Sequence, residues 1–117
     1  MEINFSVEKI ENIFVIRVSG SINSFTKDKF TEEIKSYNSK GPLILDMEDI
    51  LIVSSTGIIA LKEISDFSFD SGNKIILLNP SPQIKQVFEM GGIKNLFSVA
   101  ANEELAMKLA TRTSRRI

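Results

Sequence analysis

The sequence predicts an α/β fold in which a mixed β-sheet of four or five strands packs against about four α-helices. Apolar runs of strand length alternate with longer segments of helical spacing, and this alternation follows an opening pair of strands. The chain has 117 residues, 43% of them hydrophobic. That size suits one globular domain, so we expect a single domain over residues 1–117.

The first third of the chain predicts a β-hairpin followed by a helix. Apolar and polar residues alternate over residues 5–18 around a turn at residues 11–12. Gly20 is expected to end the second strand. From Ser24 the apolar residues recur at helical spacing, and the Ser-Lys-Gly-Pro run at residues 39–42 is expected to stop this helix.

The middle of the chain predicts a central strand and a helix that begins with hydroxyl side chains. Residues 43–45 are continuously apolar, which is typical of a strand buried on both faces of a sheet. A second apolar segment, residues 50–53, precedes two serines, a threonine and a glycine at residues 54–57. Helical spacing follows, so the hydroxyl cluster is expected at a helix N-terminus.

A further strand and helix are predicted next. Residues 74–78 form an apolar run after a turn. Ser81 and Pro82 are typical of a helix N-cap and first helical residue. The glycine pair at residues 91–92 is expected to end this helix.

The last segment predicts a short edge strand and a fourth helix. The strand is expected over residues 96–99. Asn102 and the two glutamates after it are typical of a helix start. Leu105, Leu109 and the neighbouring alanines are expected to face the core.

The composition narrows the classes of function. Basic and acidic residues nearly cancel, 14 against 15, and the pI of about 5.5 gives no electrostatic reason to bind nucleic acid or an anionic membrane. The chain has no cysteine and no histidine, which removes disulfides, thiolate metal sites and Ser-His-Asp catalysis. We expect no metal site and no cofactor, and we expect the main partner to be a protein.

The sequence gives no sign of a membrane segment. No apolar run approaches the length that spans a bilayer, and the N-terminus carries acidic residues where a signal peptide needs a basic start. We therefore expect a soluble, cytoplasmic protein without membrane insertion.

Three consecutive hydroxyl residues, Ser54, Ser55 and Thr56, form the most informative motif. One N-cap needs only one hydroxyl, and simple capping remains the plainest explanation of the motif. A helix N-terminus also tolerates a phosphate, because its free N–H groups and dipole favour an anion. A nucleophilic serine is disfavoured, since Ser55 lacks a G-x-S-x-G turn and there is no histidine to activate it.

A small group of carboxylates, Asp46, Glu48 and Asp49, follows the central apolar run. Paired carboxylates can perform acid–base catalysis or bind a hard cation. We expect instead that they cap the end of a strand and keep a loop solvated. A small enzyme that uses Ser55 or the Asp46 cluster remains an alternative function. The sequence offers no second catalytic partner for it.

Several segments in order resemble the STAS family of anti-sigma factor antagonists. They are residues 18–23, 43–47, 54–58, 79–93, 96–99 and 103–106. The resemblance implies a STAS-like sandwich and a binding protein rather than an enzyme. It further implies that the chain binds an anti-sigma factor that is also a serine kinase, that a sigma factor is released, and that serine phosphorylation ends the interaction. A PP2C-type phosphatase would reset the switch.

The resemblance also implies which residues act. It assigns the phosphoacceptor to Ser55, with Ser54 and Thr56 as less favoured acceptors. Ser54 stands where the family pattern has an aspartate, and Asn23 stands where many relatives have another. The expected partner-binding residues are Asn23, Ser54, Ser55, Thr56, Ile58 and Ile59, of which the two isoleucines are expected to be exposed apolar contacts.

One alternative keeps the fold and changes the function. The chain would then be a STAS regulatory subunit of a lipid-transport ABC transporter, in which no kinase takes part. The two functions predict different partners, a kinase in one case and transporter subunits in the other.

Overall fold

A five-stranded mixed sheet and four helices make up the computed structural model, which describes residues 2–112. The elements are β1 (Ile3–Ile10), β2 (Ile13–Ile22), α1 (Lys27–Asn38), β3 (Leu43–Val53), α2 (Ser55–Ser71), β4 (Ile75–Leu78), α3 (Pro82–Met90), β5 (Ser98–Ala100) and α4 (Glu103–Thr111). The strands lie in the order β1-β2-β3-β4-β5. β1 is antiparallel to β2, and the other neighbours are parallel. The predicted α/β class and mixed sheet are confirmed.

Helices cover both faces of the sheet. The larger core cluster joins one face of the strands to α1, α2 and α3, and the smaller one joins the other face to α4. In β3, Leu43 and Leu45 belong to the first cluster and Ile44 to the second, and all three are fully buried. The prediction of a central strand buried on both faces is confirmed.

The opening hairpin forms as predicted, but β2 is longer than expected. Glu11 and Asn12 have positive φ values of 50° and 72°, as a tight two-residue hairpin turn requires. β2 continues past Gly20 to Ile22, so the prediction that Gly20 ends the strand is wrong. Gly20 has φ 112°, and a Cβ there would lie 2.2 Å from the carbonyl oxygen of Glu2. This glycine admits the close approach of the N-terminal segment and does not end the strand.

β3 is one strand of 11 residues, where the sequence suggested two apolar segments separated by an acidic loop. It pairs with β2 through two irregularities. At the second, Gly20 pairs with Ile50 and Ser21 pairs with Ile52, which leaves Leu51 as an extra residue. The carboxylates at residues 46–49 therefore lie within a bulged strand, and the prediction that they keep a loop solvated is wrong.

The C-terminal elements match the prediction in type and differ in detail. Ser81 caps α3 and Asn102 caps α4, each through a side-chain oxygen that accepts a backbone N–H. β5 begins two residues later than expected. Leu105 is 41% exposed, so the prediction that it faces the core is wrong. The buried residues of α4 are Ala106 and Ala110, because small side chains let this helix lie close to the sheet.

An ion-pair network joins α1 to α2 on the helical face. Glu63 of α2 accepts a hydrogen bond from Lys35 of α1, and its carboxylate lies 3.5 Å from the Lys27 amine. The Lys35 hydrogen bond and the positive charges of both lysines lower the pKa of Glu63 below its ordinary value of 4.5. The charged form of Glu63 therefore favours the packed arrangement of the two helices.

The Glu63→Gln variant should lose part of the pH dependence of folding. Because folding lowers the pKa of Glu63, its contribution is fully present above the ordinary value of 4.5 and is lost as pH falls through the lower folded value. We expect the variant to be less stable at neutral pH by up to about 1 kcal/mol, with the difference shrinking as pH falls below 4.5. Urea denaturation at several pH values measures it. A Glu32→Gln control, on the exposed side of α1, should keep the wild-type profile, and equal profiles for both variants would contradict the prediction.

Candidate functional site

The first turn of α2 is held by Ser54. The Ser54 hydroxyl accepts a hydrogen bond from the Gly57 N–H at 3.2 Å, and its carbonyl accepts one from the Ile58 N–H at 2.9 Å. Its own N–H donates to the carbonyl of Ile22 at 3.0 Å. Ser54 is therefore the N-cap of the helix, and it also ties the helix start to the end of β2.

The three hydroxyls of the motif differ in exposure. Ser55 is the first helical residue and is exposed, whereas Ser54 and Thr56 are half-buried. Because Ser54 performs the capping, the Ser55 hydroxyl is not needed to hold the helix. Ser55 is thus the most accessible hydroxyl of the cluster, and its role as phosphoacceptor stays a prediction.

A close backbone contact fixes the position of this helix start. A Cβ at Gly57 would lie 2.3 Å from the carbonyl oxygen of Ile22 and 2.9 Å from Cγ1 of Val53. Only a residue without a Cβ fits there without displacement. The glycine after the hydroxyl motif therefore lets α2 begin directly against the ends of β2 and β3.

The loop after β2 is shaped by Asn23. Its Oδ1 accepts hydrogen bonds from the N–H groups of Phe25 at 2.9 Å and Thr26 at 3.1 Å. The Thr26 hydroxyl in turn donates to the carbonyl of Ser21 at 2.7 Å. Because of this turn, α1 begins at Lys27, three residues after the point at which helical spacing was expected to begin. Asn23 is half-buried, and it follows Ile22, to which Ser54 is bonded.

The two predicted apolar contact residues have different environments. Ile59 is 56% exposed, as expected, but Ile58 is only 9% exposed. A Cβ on Gly91 would lie 3.2 Å from two methyl carbons of Ile58. The expectation that Ile58 is exposed is wrong, because the C-terminal end of α3 covers it.

Further exposed apolar side chains lie near this helix start and were not predicted from the sequence. Leu51 is 75% and Ile52 is 52% exposed, and both come shortly before Ser54 on the bulged end of β3. Phe25, in the Asn23 loop, is 86% exposed, and Met90, at the end of α3, is 81% exposed. A continuous apolar run gives no signal of this exposure, because the same pattern at residues 43–45 is buried on both faces of the sheet.

A shallow cleft of about 290 Å³ lies beside Ser55. Its lining residues are Val53, Ser54, Ser55, Ile58, Val87, Met90 and Gly91. α2 and α3 thus form its walls, and its lining is uncharged. The arrangement places the exposed hydroxyl of Ser55 beside a mainly apolar surface.

On the opposite face of the sheet, Asp46 alone of the three predicted carboxylates takes part in an ion-pair network around Arg17. Arg17 lies within ion-pair distance of Glu8 at 3.2 Å, Asp46 at 3.5 Å and Glu103 at 2.7 Å. These pairs tie α4 to the sheet. Within residues 2–112, no group of three or more His, Cys, Asp or Glu residues is arranged to hold a metal ion, and every helix is too short or too polar to cross a membrane.

Comparison with known families agrees with this geometry. The family profile of the STAS domain matches residues 4–106, which is most of the chain. The chain belongs to the STAS domain family. The resemblance inferred from the sequence motifs is confirmed.

Relatives of this STAS domain include regulators of sigma factors. The Bordetella bronchiseptica protein BtrV, provisionally named an anti-sigma factor antagonist, is 23% identical over 103 residues, which are 86% of this chain and 89% of that protein. An anti-sigma factor antagonist from Mycobacterium paratuberculosis has a TM-score of 0.82 at 18% identity, over 95% of this chain and 96% of that one. The Bacillus antagonist SpoIIAA, unphosphorylated, has a TM-score of 0.73 at 21% identity, over 95% and 100%. The structural likenesses show a shared STAS fold.

Replacing Gly57 by alanine should destabilise this STAS domain. The new Cβ would meet the Ile22 carbonyl oxygen at 2.3 Å, so the start of α2 must shift. We expect a loss of about 1–3 kcal/mol in the free energy of unfolding, the usual cost of overpacking. Urea denaturation measures it, with Ile59→Ala as an exposed control on the same turn. A loss no larger than that of the control would contradict the prediction.

Substitution should separate the structural serine from the accessible one. Ser54→Ala removes the cap and should lower the free energy of unfolding by about 1 kcal/mol. Ser55→Ala changes an exposed side chain and should stay within about 0.5 kcal/mol of wild type. Ser54→Asp should retain the cap, because a carboxylate accepts the same N–H. Equal losses for the two alanine variants would show that the assignment of the cap is wrong.

Proposed function

We propose that this chain is an anti-sigma factor antagonist that is switched by phosphorylation of Ser55. In the unmodified state it binds an anti-sigma factor that is also a serine kinase, and a sigma factor is released. The kinase then phosphorylates Ser55 and the complex separates. The names of the relatives BtrV and SpoIIAA support the first part of this proposal.

One observation carries the choice of Ser55. It is the exposed hydroxyl of the motif, while the adjacent Ser54 uses its hydroxyl to cap α2. Ser54 and Thr56 are both half-buried, and the Ser54 hydroxyl is already hydrogen-bonded to the Gly57 N–H. A kinase could therefore modify Ser55 without unfolding the turn, which is the requirement for a reversible switch.

The fold can accept a phosphate at this position. A phosphoserine carries a charge of about −1.5 to −2 near neutral pH. At the first residue of α2 this charge lies close to the positive end of the helix dipole and to free N–H groups. The first turn of α2 contains no acidic residue that would repel the phosphate. We therefore expect the phosphorylated domain to keep its structure.

The same phosphate would weaken the complex. Exposed apolar side chains near Ser55, namely Leu51, Ile52, Ile59 and Met90, form the surface that a partner would cover. The residues that line the adjacent cleft carry no charge. Burying a phosphate there without a matched cation is costly, so the partner is released while the antagonist stays folded.

Two neutral residues define how this chain differs from the family pattern. Ser54 and Asn23 stand where relatives carry aspartates, and each performs a hydrogen-bonding role that an aspartate could also perform. The local structure is thus retained while the two negative charges of the family pattern are absent. We infer that the cognate kinase recognises the apolar surroundings of Ser55 more than acidic neighbours.

In this proposal the chain acts by binding another protein and catalyses no reaction itself. Its switch is reset when a PP2C-type phosphatase removes the phosphate from Ser55. Since its partners act on transcription, it would work in the cytoplasm.

A pull-down from the native host tests the switch. The baits are wild type, Ser55→Ala, Ser55→Asp and Leu51→Ser, with Phe69→Ser as the matched control. Phe69 is 87% exposed on the same helix, about 21 Å from Ser55 at ~1.5 Å per residue. We expect wild type, Ser55→Ala and Phe69→Ser to retain a protein with a kinase ATP-binding domain. The amount of this protein recovered with Ser55→Asp or Leu51→Ser should fall by at least about tenfold.

Mass spectrometry of the wild-type bait supplies the second readout. Phosphate on Ser55 is the expected result. Transporter subunits that bind all five baits equally, with no phosphate on Ser55, would refute the kinase switch and favour the regulatory subunit of a lipid transporter. Retention of the kinase by Ser55→Asp would refute the release mechanism.

A further inference from the structure

A second cavity lies on the other side of α3 from Ser55. It has a volume of about 640 Å³, compared with about 290 Å³ for the cleft beside Ser55. Volumes of about 300–1,000 Å³ are typical of small-molecule sites. Its lining residues are Pro82, Lys85, Gln86, Phe88, Glu89, Lys94 and Val99.

Apolar side chains line the interior of this cavity. Phe88 is one of the two buried residues of α3 and is only 3% exposed, so the cavity reaches the edge of the core. Val99, in the edge strand β5, is 39% exposed. Pro82, in the first turn of α3, adds a third apolar surface. A ligand with an apolar portion would cover surface that is now open to water.

The rim of the cavity carries a net positive charge. Lys85 and Lys94 both line it, against one carboxylate, Glu89. Lys94 lies 3.6 Å from Glu89 and forms an exposed ion pair with it. Lys85 therefore supplies the positive charge in excess. The whole chain has a formal net charge of −1, so the rim of the cavity is positive although the chain as a whole is slightly negative.

We propose that this cavity binds a small amphipathic anion that is free in solution, such as a medium-chain carboxylate. The apolar portion contacts Phe88 and Val99, and the anionic group lies between the amines of Lys85 and Lys94. The site is separate from the hydroxyl motif, and the proposal does not rest on the proposed function.

Helix α3 connects this cavity to Ser55, so a ligand in the cavity is coupled to the candidate phosphorylation site. Phe88 faces the cavity, while Val87 and Met90 line the cleft beside Ser55. At the end of the helix, a Cβ on Gly91 would lie 3.2 Å from the methyl carbons of Ile58 in the first turn of α2. Because Gly91 lies this close to Ile58, a ligand that moves α3 would also move the turn that carries Ser55.

An NMR titration with octanoate tests the site. Backbone amide shifts are followed for the wild-type chain, with octan-1-ol and octylammonium as the neutral and cationic counterparts. We expect octanoate to shift the amides of residues 85–99, with smaller shifts at Ile58. Octylammonium should leave these amides unchanged, and octan-1-ol should bind more weakly than octanoate.

Charge variants make the test specific. The double variant Lys85→Gln/Lys94→Gln should raise the dissociation constant for octanoate by about tenfold. The control Lys29→Gln/Lys62→Gln removes the same charge from exposed positions of α1 and α2, and it should bind like wild type. A third variant, Val99→Ser, should weaken octanoate and octan-1-ol alike.

Four results would overturn the proposal. They are the absence of shifts at residues 85–99, equal binding of all three probes, equal affinities for the two double variants, and shifts caused by phosphatidylglycerol vesicles but not by octanoate. Each readout is made on the unphosphorylated chain in the absence of a partner, so failure here is distinguishable from failure of the kinase switch.

Discussion

The contact between Gly57 and the carbonyl of Ile22 is the constraint on which the functional end of the molecule depends. A Cβ on Gly57 would lie only 2.3 Å from the carbonyl oxygen of Ile22, which shows how closely α2 begins against the end of β2. The Ser54 N–H bonds to the same carbonyl. Since Ile22 is followed at once by the Asn23 loop, this one contact brings the loop, the hydroxyl motif and the bulged end of β3 to a common surface.

Adjacent hydroxyls at this surface divide two tasks. Ser54 satisfies a backbone N–H that the helix cannot satisfy itself, and this leaves Ser55 exposed at the first helical position. Stability and accessibility therefore depend on different side chains. A charge placed on the second residue can change what binds to the surface without removing the bond that holds the turn.

α3 is the element that both surfaces share. It buries only Ile84 and Phe88, and its remaining faces line the cleft beside Ser55 and the larger cavity next to β5. A helix with so few buried side chains packs weakly against the sheet, so contacts on either side can bias its position. The contact of Gly91 with Ile58 ties that position to the first turn of α2.

The sequence by itself determined the class of fold, the buried strand at residues 43–45 and the helix start at the hydroxyl motif, because hydrophobic period and capping chemistry act over a few residues. It also placed the caps Ser81 and Asn102 and a cap within the hydroxyl motif, which the structure assigns to Ser54. Only the tertiary structure decided that Ile58 is covered and Leu51 and Ile52 are exposed. The covering comes from α3, some 30 residues away in sequence, and the exposure comes from a register irregularity between two strands. Contacts between distant segments and pairing irregularities leave no local period in the chain, so no pattern of neighbouring residues could reveal them.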